Sequence, residues 1–262
     1  MIAPSTIEDL RACDFYCDIL GRLAAADVPF LIGGAYALDH YTGIARRTKD
    51  IDVFIRPADC ERVLALLAAG GCQTELTSAV WLAKARCGDD FVDLIFSSGN
   101  GVAEVDDAWF EHAAEGEVMG VRVRFCPPEE MIWSKGYIME RERYDGADVA
   151  HLIRACAWRM DWRRLVDRFD GHWRVLLSHL VLFGFAYPGE RDVVPAWVME
   201  ELLDRLGVEV HGPPPTDRVC QGMLLSRAQY RIDVDRWGYR DGRLRPTGRM
   251  TAKQVRAMNR ER

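Results

Sequence analysis

The chain has 262 residues, 49% of them hydrophobic and 28% charged, with a formal net charge of −6. That supplies apolar material for one large domain or two modest ones. No run approaches the roughly 18 uninterrupted apolar residues of a membrane span, and Met1 to Leu10 lacks the charged start and apolar run of a secretion signal, so a cytoplasmic protein with no membrane partner is expected.

In chain order, Ser5-x-x-Glu8 reads as a capping box opening a helix, with Leu10, Cys13, Cys17, Leu20 and Leu23 on one face. Val28 to Ile32 reads as a short buried strand, and Ala35 to Tyr41 as a helix starting at Gly33-Gly34. Lys49 to Ile55 is a second strand. A helix from Pro57 runs through Leu67 and stops at Gly70-Gly71. Leu82 to Cys87 and Phe91 to Phe96 form a hairpin around Gly88-Asp89, and Val118 to Phe125 holds one or two more strands. Strands and helices thus mix over residues 1–126, as in an α/β (α+β) domain with a small mixed sheet.

After Pro127-Pro128 the pattern turns helical: Glu129–Glu140, Ala147–Trp158, Trp162–Phe169, Trp173–Phe185 and Ala196–Leu206. The tryptophans at 158, 162, 173 and 197 are spaced as helix core. "RIDVDRWGY" suggests a late strand. These readings divide the chain into a domain at 1–126, a helical C-terminal domain at 127–235 and a basic tail at 236–262. That tail holds nine basic and two acidic side chains, which leaves residues 1–235 at −13. It can serve as a nucleic-acid arm or as a solvated terminus. The eight cysteines lack zinc-like or C-x-x-C spacing, so they read as small apolar residues in a reducing compartment.

The chemistry concentrates in "LIGGAYALDHYTGIARRTKDIDVFI", Leu31 to Ile55. Asp50 and Asp52 alternate with Ile51, Val53 and Ile55, so they project from one face of a strand. Asp93 sits within a second apolar strand, "FVDLIF". If those strands pair, three carboxylates share one patch, and their repulsion calls for divalent cations. Hard oxygen ligands suit Mg²⁺, which shares carboxylates with substrate phosphates, and two such ions can hold the attacking and leaving oxygens of a phosphoryl displacement. Gly33 and Gly34, ending a strand and opening a helix, offer bare backbone N–H groups to phosphates. Arg46, Arg47 and Lys49 can neutralise further negative charge. A D-h-D-h string arises by accident in about one chain of this length in twenty, and the upstream diglycine lowers that to about one in a thousand, so this stretch is singled out.

Apolar-Gly-Gly, then Asp-apolar-Asp-apolar, then an apolar-flanked Asp resembles the polymerase-β-like nucleotidyltransferase superfamily. The fifteen residues between Gly34 and Asp50, with the Arg-x-Thr-x-Asp-Ile-Asp string, are most similar to two bacterial branches. One contains antibiotic (lincosamide and aminoglycoside) nucleotidyltransferases, the other abortive-infection toxin nucleotidyltransferases. The resemblance implies Mg²⁺ dependence, two ions, and transfer of a nucleoside monophosphate from an NTP such as ATP, with pyrophosphate released. It makes Asp50, Asp52 and Asp93 the metal-binding and catalytic acids, Asp93 helping to deprotonate the acceptor hydroxyl. Gly33, Gly34, Arg47 and Lys49 fall in the nucleotide-binding segment. A weaker similarity in "EEMIWSKGYIMERERYDGADVAHL" implies that Lys135 contacts phosphate and that Arg143, Asp145 and Asp148 line or brace the site; Asp145 also reads as a helix N-cap.

The acceptor stays open. The acidic body suits a small cationic molecule such as an antibiotic, whereas the basic tail suits an RNA end; DNA sequence readout is not expected. A catalytically silent nucleotide-fold protein acting as a binding or regulatory partner is the alternative. "IDVD" at Ile232 to Asp235 imitates the metal motif but lacks an upstream diglycine and is read as a decoy.

Overall fold

The computed structural model describes residues 7–46, 48 and 50–260, with the side chains of 7–12 excluded. The chain forms two compact units, residues 1–127 with 256–262, and residues 128–255. Ser5 of the expected capping box, and Arg47 and Lys49 of the expected nucleotide-binding set, lie outside the described residues.

The first unit is built on a mixed sheet. Its strands are β1 (Leu31–Ile32), β2 (Ile51–Phe54), β3 (Gln73–Ser78), β4 (Leu82–Cys87), β5 (Asp90–Ile95), β6 (Ala114–Val118) and β7 (Val121–Phe125), in the spatial order β3-β4-β5-β2-β1-β7-β6. β2 runs parallel to β5 and antiparallel to β1, and β1 runs parallel to β7. Helix α1 (Ile7–Ala25) packs against α3 (Cys60–Ala69), and both reach the sheet. Leu20 and Leu23 on α1 and Val63 and Leu67 on α3 are fully buried, as are Ile51 and Val53 on β2 and Val92 and Leu94 on β5. Because side chains alternate along a strand, burying these residues turns Asp52 and Asp93 to the opposite face.

Several elements differ from the sequence expectation. β1 has two residues rather than five, because Val28 to Phe30 lie outside the ladder while two of them still pack in the core. β3 was not foreseen: "QTELTS" is mostly polar, as suits a sheet edge. A short helix α4 (Asp107–Glu111) buries Trp109 and Phe110. The β3–β4 register sets Gln73 opposite Arg86, so Cys72 falls opposite Cys87, and these two form a disulfide with Cα atoms 4.8 Å apart. The all-reduced reading of the cysteines fails for this pair; the other six are free thiols.

The second unit is helical: α5 (Pro128–Lys135), α6 (Gly146–Cys156), α7 (Trp162–Phe169), α8 (Trp173–Ala186), α9 (Ala196–His211) and α10 (Arg227–Asp235). Helix α5 ends at Lys135 rather than Glu140. The Gly136 N–H closes it on the Ile132 carbonyl, and the chain then turns back through a bridge between Met139 and Tyr144. The expected late strand is α10, opened by Ser226, whose hydroxyl accepts the Gln229 N–H. Strand pairing instead flanks this helix, between β8 (Val219–Cys220) before it and β9 (Arg240–Asp241) after it. Helical geometry also splays Asp233 and Asp235 onto different faces, which removes "IDVD" as a metal motif.

Trp162 and Trp173 are buried, but Trp158 is 81% and Trp197 36% exposed, so the helix-core reading holds for only half of that set. The basic stretch from residue 236 to 255 belongs to this unit. Within it Arg243, 1% exposed, is clamped on the Asp241 carboxylate at 2.7 to 3.2 Å. Among the described residues no helix is long and apolar enough to cross a membrane.

Candidate nucleotide site

The sheet register lines up one row of residues across the first unit. Glu75 on β3 faces Lys84 on β4, Lys84 faces Asp93 on β5, and Asp93 faces Asp52 on β2. The β1–β2 pairing continues to Gly33, whose N–H donates to the Asp52 carbonyl at 3.0 Å. Residues opposite one another in register share a face of the sheet. Two strands that lie forty residues apart in sequence thereby place Asp52 and Asp93 side by side.

Helix α2 (Gly34–Thr42) starts at the end of this row. Gly34 has φ +55°, in the left-handed region that favours glycine. A Cβ there would overlap the Asp52 Oδ2 atom, and a Cβ on Gly33 would enter the Phe54 ring. The Phe54 ring is fixed in turn by stacking on Trp109, centroids 5.4 Å apart. The diglycine therefore lets the Asp52 carboxylate lie directly over the first turn of α2. The partial positive charge of a helix start favours a carboxylate placed there.

Like charges side by side in register are destabilising, and the structure offsets the pair with a cation of its own. Lys84 Nζ lies 2.7 Å from Asp93 Oδ1, with the two side chains 20% and 14% exposed. The ammonium also stands 4.6 Å from the Phe91 ring centroid, a second restraint on its position. Asp50, just ahead of β2, takes a different partner: the Thr48 hydroxyl donates to its Oδ1 at 2.6 Å. The expected gathering of three carboxylates is thus modified. Asp52 and Asp93 are brought together while Asp50 lies just ahead of β2, outside the ladder, and Asp93 turns to Lys84. Among the described residues no three His, Cys, Asp or Glu side chains close on a common point.

The donor set suits a hard divalent cation nevertheless. Asp50 and Asp52 offer carboxylate oxygens two residues apart at the entry to β2, and the missing Cβ of Gly34 leaves room for the Asp52 carboxylate. Two tyrosines feel the negative charge of Asp50. Burial, followed for Tyr36 by Cys13 and Asp50, pushes its phenol up to about 12. Tyr16 is raised further by burial, then by Tyr36 and Asp50. Both phenols therefore keep their protons at neutral pH. Lys84 was within reach of sequence reasoning, since a hairpin turning at Gly88-Asp89 sets 84 opposite 93. Tyr16 and Tyr36 were not, because their approach to Asp50 depends on how the helices pack on the sheet.

Lys135 lies in the second unit and is engaged there. Its Nζ is 2.8 Å from both Asp145 Oδ2 and Asp148 Oδ2, while Arg143 forks onto Asp145 at 3.0 and 3.1 Å. Burial alone would raise the Asp145 carboxyl; Arg143 and Lys135 together hold it below its ordinary value. Asp145 stands at the N-cap position of α6, but its side chain makes no capping hydrogen bond. This cluster ties the end of α5 to the start of α6.

Residues 16–125 match the family model described as aminoglycoside-2''-adenylyltransferase. No curated protein matches the chain. Among solved structures the chain is similar to the antibiotic-resistance factor ANT(2'')-Ia in solution, at 20% identity over 65% of this chain and 97% of that one, with a TM-score of 0.47. It is also similar to the lincosamide antibiotic adenylyltransferase LnuA in its lincomycin-bound form, at 18% identity over 53% and 94%, TM-score 0.39. A third is an antigenic nucleotidyltransferase-like protein from Paracoccidioides brasiliensis, at 14% over 70% and 91%, TM-score 0.45. The segment matched by the family model contains Gly33, Gly34, Asp50, Asp52 and Asp93. Over residues 16–125 the N-terminal unit is therefore similar to the aminoglycoside-2''-adenylyltransferase family, one of the antibiotic nucleotidyltransferases.

Proposed function

We propose that the protein transfers a nucleoside monophosphate from an NTP to a hydroxyl of a small molecule, releasing pyrophosphate. The observation that carries this reading is the in-register pair Asp52–Asp93 beside the Gly33-Gly34 turn, within the segment that matches the family model. Asp50 and Asp52 would hold a divalent cation, Mg²⁺ by the chemistry of the donors, which supplies charge neutralisation at the triphosphate. The first turn of α2 presents backbone N–H groups to phosphate oxygens. Lys84 takes Asp93 Oδ1, so Oδ2 is the atom assigned to accept the proton of the attacking hydroxyl. The oxygen freed of that proton bonds to the α-phosphorus, and the bond to the pyrophosphate oxygen breaks in line. The protonated phenols of Tyr16 and Tyr36 lie on the Asp50 side and can donate but not accept a proton at neutral pH.

A small-molecule acceptor is favoured over an RNA end because part of the basic stretch is used internally, as in the buried Arg243–Asp241 pair. The charge of −13 over residues 1–235 also draws polycationic acceptors such as aminoglycosides. The test is pyrophosphate release from each NTP with Mg²⁺ and a panel of aminoglycosides, lincosamides and short RNAs. Wild type should turn over with at least one small molecule, and D50N and D52N should each lose about 100-fold or more, as befits groups that stabilise transition-state charge. Undiminished turnover in D52N refutes the mechanism. Tight NTP binding without transfer to any acceptor supports the silent alternative.

A further inference from the structure

Lys84 is absent from the nucleotide-binding residues implied by the motif, yet it stands in the same row. Its ammonium lies directly across the β4–β5 ladder from Asp93, bonded at 2.7 Å and only 20% exposed. Contact with the Phe91 ring, itself next but one to Asp93 on β5, restrains it further. Asp93 in turn lies across from Asp52. One carboxylate of the Asp52–Asp93 pair therefore already carries a cation that belongs to the protein. A divalent ion that used Asp93 as a ligand would have to displace this ammonium or accept its repulsion at close range.

We propose that Lys84 reserves Asp93, so that the nucleotide-free protein takes one divalent ion, on Asp50 and Asp52, and Asp93 is kept for the acceptor. Lys84 is thus a positioning residue acting through Asp93. This rests on the reading of Asp50 and Asp52 as a cation site, and the test separates the two.

Mn²⁺ is titrated into the nucleotide-free full chain, and the bound ion is counted from the loss of the free-ion electron paramagnetic resonance signal. Wild type should bind one ion. D52N should weaken binding at least about tenfold, whereas D93N should change it by less than about twofold; because D93N also leaves the Lys84 ammonium without its carboxylate, its fold is checked by thermal melting, and K84M/D93N, which removes both charges, serves as the folded control. K84M, which frees Asp93, should tighten binding about tenfold or add a second ion, the scale on which partners of a ligating carboxylate act. K84R should resemble wild type, and K84M/D93N should return to it, because the coupling requires both groups. D93N weakening Mn²⁺ as much as D52N overturns the proposal, as does a folded K84M that binds like wild type. If D52N itself has no effect, the underlying cation site is wrong and the proposal falls with it.

Discussion

At the scale of single residues, two features of the site follow from glycine chemistry. Gly34 combines φ +55° with a carboxylate where its Cβ would go, whereas Gly43, at the end of α2 with φ +71°, has open space around it. G43A should therefore show the backbone penalty alone, about 1 kcal/mol. G34A adds the displacement of Asp52, so its stability should fall by about 2 to 3 kcal/mol, with Mn²⁺ affinity falling too. Thermal melts and Mn²⁺ titration on both variants check this; G34A matching G43A in each would dissociate the glycine from the carboxylate. The pair Asp50 and Asp52, and the glycines, were legible in the sequence because carboxylates inside an apolar alternation have no structural reason to be there. Lys84 looked ordinary by the same criterion, since a lysine in an alternating strand is usually a solvated side chain. Its role lies in pairing register, which local composition does not reveal.

At the scale of elements, α5 shows how an ordinary pattern conceals an uncommon one. Glu129 and Glu130 sit in its first turn, where acids favour the helix dipole and commonly face water. Here they are 3% and 0% exposed. Arg164 on α7 bonds both Glu130 oxygens at 2.5 Å and reaches Glu129 at 2.7 Å, while Arg168 adds a contact of 3.0 Å to Glu130. Burial pushes the Glu130 carboxyl up against the pull of those guanidiniums. Glu129 also accepts the Asp161 N–H at the start of α7. The partners are more than thirty residues downstream, so the network was invisible to a reading of local pattern, although both helices were foreseen. Replacing Glu130 with alanine removes a buried carboxylate shared by Arg164 and Arg168, with Glu129 still holding Arg164, and should cost about 3 kcal/mol in urea unfolding. E130Q keeps the acceptor and should lose less. An E130A loss below about 1 kcal/mol would mean the network is solvated.

At the scale of the whole molecule, the second unit carries a built-in acid sensitivity. His179 on α8 is buried, with Nε2 2.8 Å from the Gly136 carbonyl, and burial lowers its proton affinity more than that bond raises it. His172 lies 3.0 Å from the Thr247 carbonyl through Nε2 and 2.9 Å from the Tyr137 hydroxyl through Nδ1. If Nε2–H donates to the carbonyl, Nδ1 must accept from Tyr137, so the neutral ring satisfies both partners and a second proton would force that hydroxyl to turn. Burial first, and then Arg249, lowers the affinity of His172 for that proton, outweighing the Thr247 bond. Both histidines bind protons more readily when unfolded. Stability is therefore complete above the unfolded value near 6.5 and declines as pH falls through it toward the lower folded values. The slope is at most about 1.4 kcal/mol per pH unit for each histidine. Asp145, also held below its ordinary value, contributes a further loss only at more acidic pH. Melting followed by tryptophan fluorescence, to which the buried Trp133, Trp162 and Trp173 of this unit contribute alongside Trp109 of the first, should show the midpoint falling between pH 7.5 and 5.5. In H172Q/H179Q each glutamine can donate to its carbonyl without titrating, so the decline over that interval should flatten while the melt at pH 7.5 changes less. If the double variant loses as much as wild type on acidification, the sensitivity arises from other groups, and these buried rings do not link protons to the fold.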